Sequence, residues 1–240
     1  MVLPYQDSPK GKKQQVRLMF NNIAARYDFL NRLLSFSIDR FWRKKAISLL
    51  RDLSPRTLLD VATGTGDLAL EAHSLRPEKI IGTDISEAML AIALRKVKRK
   101  KMEHLIGFVQ GDAENLPFEE SDFDAVVTAF GVRNFEDIQK GIDEMFRVLR
   151  SGGQVVVLEL SKPLNPVFSG LYRFYFTQVL PAVGRWVSND RSAYRYLPDS
   201  VYDFPDRESF VAILEAAGFK KCRFFSFTMG IASIYTGFKP

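Results

Sequence analysis

LLDVATGTGDLAL, residues 58–70, joins an apolar run to a glycine-bearing turn and then to the start of a helical pattern. A strand ending in such a turn brings backbone close to a ligand at the carboxyl edge of a sheet, because glycine accepts the left-handed conformations that a close approach requires. Gly64 and Gly66, with Ala62 before them, do not follow the G-x-G-x-x-G spacing of dinucleotide-binding turns, and no G-x-x-x-x-G-K-[ST] occurs in the chain. The segment predicts a ligand-binding turn around Asp60, Gly64 and Gly66 that does not cradle phosphate.

Outward from that turn, the apolar runs TLLDVA (57–62), KIIGTD (79–84), IGFVQ (106–110), FDAVVTAF (123–130) and GQVVVLEL (153–160) alternate with segments of helical period. This alternation predicts a parallel sheet with helices on both faces. Ser86 and Asp137 are placed to N-cap helices over 87–100 and 138–149, and Asp206 to open a further helix that Gly218 ends. KCRFFSFT and ASIYTGFK, joined by a turn at Met229 and Gly230, predict a closing antiparallel hairpin. Upstream, residues 14–27 and 39–52 carry apolar side chains at three- and four-residue spacing and predict amphipathic helices.

Two further strand ends add chemistry. Asp84, 24 residues after Asp60, ends the second strand where a carboxylate can accept hydrogen bonds from both hydroxyls of a ribose. Asp112 and Ala113 follow the third strand, where a carboxylate and a backbone N–H can read an adenine edge. Acids of this kind also occur as ordinary turn residues after strands; three in register describe one adenosine.

Composition narrows the class. The chain has 240 residues, 46% of them apolar and 26% charged, which suits one compact domain. Cys222, His73 and His104 are too few and too scattered for a disulfide, a metal site or a Cys-His nucleophile, and the chain is expected to occupy a reducing cytoplasm. The start, MVLPYQDSPKGKK, lacks the apolar stretch of a signal peptide and no later segment is apolar for the length of a bilayer, so neither secretion nor membrane spanning is expected. A net charge of +6, with Lys10, Lys12 and Lys13 in one group and Arg95, Lys96, Lys98, Arg99, Lys100 and Lys101 in another, invites an anionic partner. The second group has a plainer reading as a solvated helix end complementing the helix dipole.

The trio of Asp60 with its glycine turn, Asp84, and Asp112 with Ala113 resembles the class I S-adenosylmethionine-dependent methyltransferases over about residues 57 to 240. Narrower signals resemble the ubiquinone and menaquinone biosynthesis C-methyltransferases: YDFLNRLLSFSIDRFW (27–42), FGVRNFED (130–137), RVLRSGGQVVVLELSKP (147–163) and AYRYLPDSVYDFPD (193–206). Leu30, Asp39, Ser151 and Ala129 depart from the family pattern, the last replacing a residue that is often a serine touching the cofactor. The resemblance implies an α/β fold with a Rossmann-like, seven-stranded, mostly parallel sheet, a C-terminal antiparallel hairpin, helices on both faces and an N-terminal helical lid. Residues 1–240 are expected to form one domain: lid (1–53), cofactor-binding core (57–162), helical substrate-side insertion (163–205), and C-terminal helix with hairpin (206–240).

That resemblance implies S-adenosylmethionine as methyl donor and C-methylation of a polyprenylated quinol, first demethylmenaquinol and alternatively a methoxybenzoquinol. Asp60, Thr63, Gly64, Gly66, Asp84, Asp112, Ala113 and Ala129 are the expected cofactor-binding residues, with Thr63 and the glycines at its amino-acid end. A ring carbon becomes nucleophilic when an ortho hydroxyl ionises, so a cation or hydrogen-bonding group beside that oxygen lowers the barrier. Arg133 and Asn134, just after the fourth strand, are the catalytic candidates, with a backbone-tethering role as the alternative. Tyr27 joins them as a lid residue, or else merely ends the apolar stripe of its helix. The aromatic stripe at 167–180 reads as core, as the wall of an isoprenoid groove or as a lipid-facing surface at the inner face of a membrane. No nucleic-acid partner is expected, an RNA- or protein-directed activity and a non-catalytic binding role rank below, and a homodimer stays open.

Overall fold

The computed structural model describes residues 2–35, 37–163, 170 and 191–240. The chain runs α1 (Lys12–Leu34), α2 (Ile38–Ser48), β1 (Thr57–Val61), α3 (Asp67–Ala72), β2 (Lys79–Asp84), α4 (Glu87–Arg99), β3 (Ile106–Gln110), β4 (Phe123–Ala129), α5 (Ile138–Val148) and β5 (Leu149–Leu160). It continues with α6 (Arg191–Asp203), α7 (Glu208–Ala216), β6 (Lys220–Phe227) and β7 (Ala232–Phe238). The stripe expected at 167–180 lies outside the described residues, Gly170 apart. No helix among the described residues is long and apolar enough to cross a membrane.

The strands form one sheet in the order β3-β2-β1-β4-β5-β7-β6. β1 pairs in parallel with β2 on one side and β4 on the other, while β7 runs antiparallel to both β5 and β6. The order reverses between β1 and β4, which opens a crevice beyond the carboxyl ends of the strands. The apolar runs are nearly continuous because both faces are covered. Leu59, Val61, Val126, Val155 and Val157 pack with Ile142, Met145, Phe210 and Leu214 of α5 and α7. Their neighbours Leu58, Ala125, Val127, Val156 and Leu158 pack with Trp42, Ile47, Ala69 and Val97 of α2, α3 and α4. α1 joins a third cluster, its Val16, Met19, Ile23 and Ala24 against Met89 of α4 and Ala193, Tyr196 and Val201 of α6.

Ser86 and Asp137 cap α4 and α5 as expected, accepting the amides of Met89 at 3.2 Å and Lys140 at 3.0 Å. The expected cap at Asp206 is not made. α7 starts two residues later behind Arg207 at φ 56°, because the Asp206 carboxylate is engaged elsewhere. It accepts the Lys162 amide at 3.0 Å and faces the Lys162 and Arg207 cations at 3.4 and 3.2 Å. β5 begins at Leu149 rather than 153, since Leu149 pairs with Phe123 ahead of an irregularity in the β4 register. The solvated-end reading of the basic run also needs correction: Lys96 is buried, whereas Arg95, Lys98, Arg99, Lys100 and Lys101 are exposed.

Phe210 is fully buried between Phe204 and Tyr235, with ring centroids 5.2 and 4.6 Å away. Phe210→Ala is expected to destabilise the protein by about 3–5 kcal/mol, read as a lowered urea midpoint with an unchanged slope.

Candidate functional site

The turn after β1 is a succession of left-handed residues, Ala62 (φ 54°), Gly64 (φ 55°) and Gly66 (φ 80°). At Gly66 a side chain would press within 3.1 Å of both Ala93 and Phe108, so glycine there lets α4 lie against the turn. At Gly64 a Cβ would meet nothing within 4 Å, which leaves open space beside the backbone where a ligand can approach.

Three carboxylates organise this edge. Asp60, fully buried beneath the turn, accepts the Thr63 hydroxyl at 2.5 Å on one oxygen, and its other oxygen has no partner. Burial pushes its carboxyl up to about 7, and the Asp84 charge adds to the rise. Asp84 accepts the Gly64 amide at 2.7 Å on one oxygen and the Ser86 amide at 2.8 Å on the other. Desolvation raises it to about 6 in spite of those bonds. Each oxygen keeps a second lone pair for a further donor. Asp112 receives the Lys13 ammonium at 2.6 Å and the Glu114 amide at 3.0 Å.

A cleft enclosing about 700 Å³, open solvent at its mouth included, lies over these groups. That is ample for an adenosine-sized molecule. Gly64, Asp84, Asp112, Ala113, Ala129 and Asn134 line it, and Tyr27, Phe20, Val16 and Lys13 of α1 form the facing wall. Asp60, Thr63 and Gly66 stand behind the lining, where they shape the turn. Tyr27 contacts Phe20 edge-on at 6.0 Å, and burial pushes its phenol up while the Arg133 charge pulls it down.

Beyond β4 the chain makes a tight turn, Val132–Asn134, after Phe130 at φ 61°. Arg133 does not line the cleft. Its guanidinium lies behind the wall, bonded to Glu159 at 2.7 Å and to the Phe130 carbonyl, with Nε buried and unpartnered. Glu159 is itself fully buried and also accepts the Arg133 amide at 3.2 Å. Asn134 donates to the Phe130 carbonyl at 3.3 Å and keeps Oδ1 buried without a partner.

Sequence reading missed several members of this arrangement. Lys13 had no role beyond a charge cluster, and Glu159 was one letter in an apolar strand. Tyr196, within the AYRYLP segment, is 3% exposed, and its hydroxyl is buried and unpartnered. Burial pushes that phenol up to about 12 against the pull of Arg133.

The model of the ubiE/COQ5 methyltransferase family matches residues 9–239. The chain belongs to that family. It is 44% identical over 239 residues to a demethylmenaquinone methyltransferase from Bacteroides fragilis, covering 99% of this chain and 97% of that one. It is 46% identical over 237 residues to a ubiquinone/menaquinone biosynthesis C-methyltransferase UbiE from Geobacter sp. strain M21, covering 98% and 100%. In fold it is similar to an S-adenosylmethionine-dependent methyltransferase from Thermotoga maritima, with a TM-score of 0.64, 18% identity, and coverage of 93% and 99%.

The raised Asp84 gives a pH test. An acid whose folded-state pKa exceeds its unfolded one holds its proton more tightly when folded, so its contribution to stability falls as pH rises between the two values. Relative to Asp84→Asn, the ligand-free wild type is expected to lose stability from about pH 4 to about pH 6 and then level off, as measured by urea unfolding across that range.

Proposed function

We propose that the chain transfers a methyl group from S-adenosylmethionine to a ring carbon of a polyprenylated quinol, with demethylmenaquinol as the acceptor. One observation carries this reading: the glycine turn, Asp84 and the Asp112–Ala113 pair face a single cleft that Asn134 also lines, with Arg133 behind it. A second ring, a methoxybenzoquinol, is kept because the Geobacter relative carries both quinones in its name.

The groups present fit the donor. Asp84 has spare lone pairs for ribose hydroxyls, Ala113 and Asp112 sit where an adenine edge is read, and the open space at Gly64 suits the amino-acid end above Thr63 and Asp60. Bound there, S-adenosylmethionine supplies a methyl group made electrophilic by its sulfonium. The apolar wall of α1 excludes water and fixes orientation, which is most of what such a transfer requires of a protein.

The acceptor needs electrostatic help. Arg133 stays charged, since the Glu159 carboxylate more than offsets the burial that would depress it. From behind the wall its charge favours the ring oxygen as it ionises, and Asn134, which lines the cleft, offers its amide N–H to that oxygen. Arg133 is too basic to take the proton itself, so it stabilises the oxyanion or activates a water that accepts the proton. Tyr27 orients the ring from the α1 side. In this reading residues 1–53 are the lid, 57–162 the cofactor core, 163–205 the substrate-side insertion and 206–240 the closing helix and hairpin of one domain. The protein works in the cytoplasm against the membrane that holds its substrate.

The test is an assay with S-adenosylmethionine and reduced demethylmenaquinol or reduced methoxybenzoquinol side by side, scored by mass for a product heavier by one CH2. Methylation of the reduced naphthoquinol and not of its oxidised form is expected; no product from either ring under conditions where the donor binds would refute the enzyme. Arg133→Ala is expected to lower kcat by about 100-fold or more with little change in donor KM, and an unchanged kcat would remove Arg133 from the mechanism.

A further inference from the structure

Lys96 is the one member of the basic run 95–101 that turns inward. It lies one helical turn beyond Ala93, the residue that Gly66 allows close to the ligand turn. Its ammonium reaches Asp28 of α1 at 2.5 Å, Asp67 at the start of α3 at 2.6 Å and the Thr65 hydroxyl at 2.8 Å. Those acceptors use all the donors an ammonium has. Thr65 in turn donates to the other Asp28 oxygen at 2.5 Å, which closes a ring of Lys96, Asp28 and Thr65. Asp67 also faces Arg43 of α2 at 3.5 Å, and Arg43 is bonded to Asp39. Burial works to raise the Asp67 carboxyl, and the Lys96 charge overcomes it and holds the group below its ordinary range.

The residues joined are neighbours of cleft residues. Asp28 follows Tyr27 in the chain, and Thr65 follows Gly64. We infer that Lys96 is a positioning residue, clamping α1 onto the glycine turn through Asp28, Thr65 and Asp67, so that the α1 wall and the turn hold the methyl donor in one fixed relation. A solvated cation at a helix end would make none of these bonds; Lys98, two residues on and exposed, is that kind of cation. The clamp acts through Thr65 and Asp28 on Gly64 and Tyr27, and it has no part in the reaction of the quinol itself.

The inference rests on the proposed binding of S-adenosylmethionine in this cleft, and the experiment separates the two. Calorimetry with S-adenosylhomocysteine is run on the wild type, Lys96→Met, Asp28→Asn, the double variant, Lys96→Arg and Lys98→Met, alongside melting of each ligand-free protein. Lys96→Met and Asp28→Asn are each expected to weaken binding by about tenfold, and the double variant no more than either alone, because both break the same ring. Lys96→Arg should recover most of the affinity, and Lys98→Met should match the wild type. In turnover, KM for the donor rises while KM for the quinol is unchanged, a split that simple loss of stability does not produce. Unaltered affinity in a folded Lys96→Met, or losses that add in the double variant, would overturn the clamp alone; should Lys96→Met not fold, Asp28→Asn decides by the same criterion. A wild type that does not bind S-adenosylhomocysteine would overturn the reading beneath it as well.

Discussion

The Asp84 carboxylate receives one amide from Gly64, after β1, and another from Ser86, at the cap of α4. Those bonds tie the turn after one strand to the helix after the next, and the cleft exists because that tie holds. Placing a carboxylate there is costly, as its raised pKa records. The backbone amides return part of that cost, and what remains is an acceptor pre-aimed at the mouth of the sheet. Asp60 repeats the pattern one layer deeper, where it accepts the Thr63 hydroxyl.

Around this tie the charged groups sort into layers. Those at the cleft wall, Asp84 and Asp112, have spare hydrogen-bonding capacity, whereas those behind it are paired with one another: Arg133 with Glu159, and Lys96 with Asp28 and Asp67. Buried pairs of the second kind contribute little net stability, but a partner removed leaves a stranded charge. They fix geometry, and a methyl transfer depends chiefly on geometry.

Much of this was legible in the chain. The central strands β1, β4 and β5 appear as apolar runs because both sheet faces are covered there, and Ser86 and Asp137 follow local capping rules that need no tertiary knowledge. The cleft residues after β1, β2 and β3 were also readable, since each sits at a fixed offset from a strand end. What could not be read depends on contacts between distant segments. Asp206 fails as a cap because Lys162, 44 positions earlier, takes its carboxylate. Glu159 gives no hint of charge pairing inside LEL, and its partner Arg133 lies 26 positions away. Lys96 is of the same type as its exposed neighbours, and only its phase with the buried Met89, Ala93 and Val97 of α4 marks it as inward-facing.

β6 is the last strand of the sheet, with one backbone edge left unpaired by any strand among the described residues. An open edge is a template on which another chain can add a strand. Here it carries Lys220, Lys221 and Arg223, and the pairing register slips between Lys220 and Arg223. A second copy aligned along the same edge would bring its own cations against these, over an edge that is not straight. The hairpin that completes the sheet therefore also ends it, since its outer edge is built to resist a further strand.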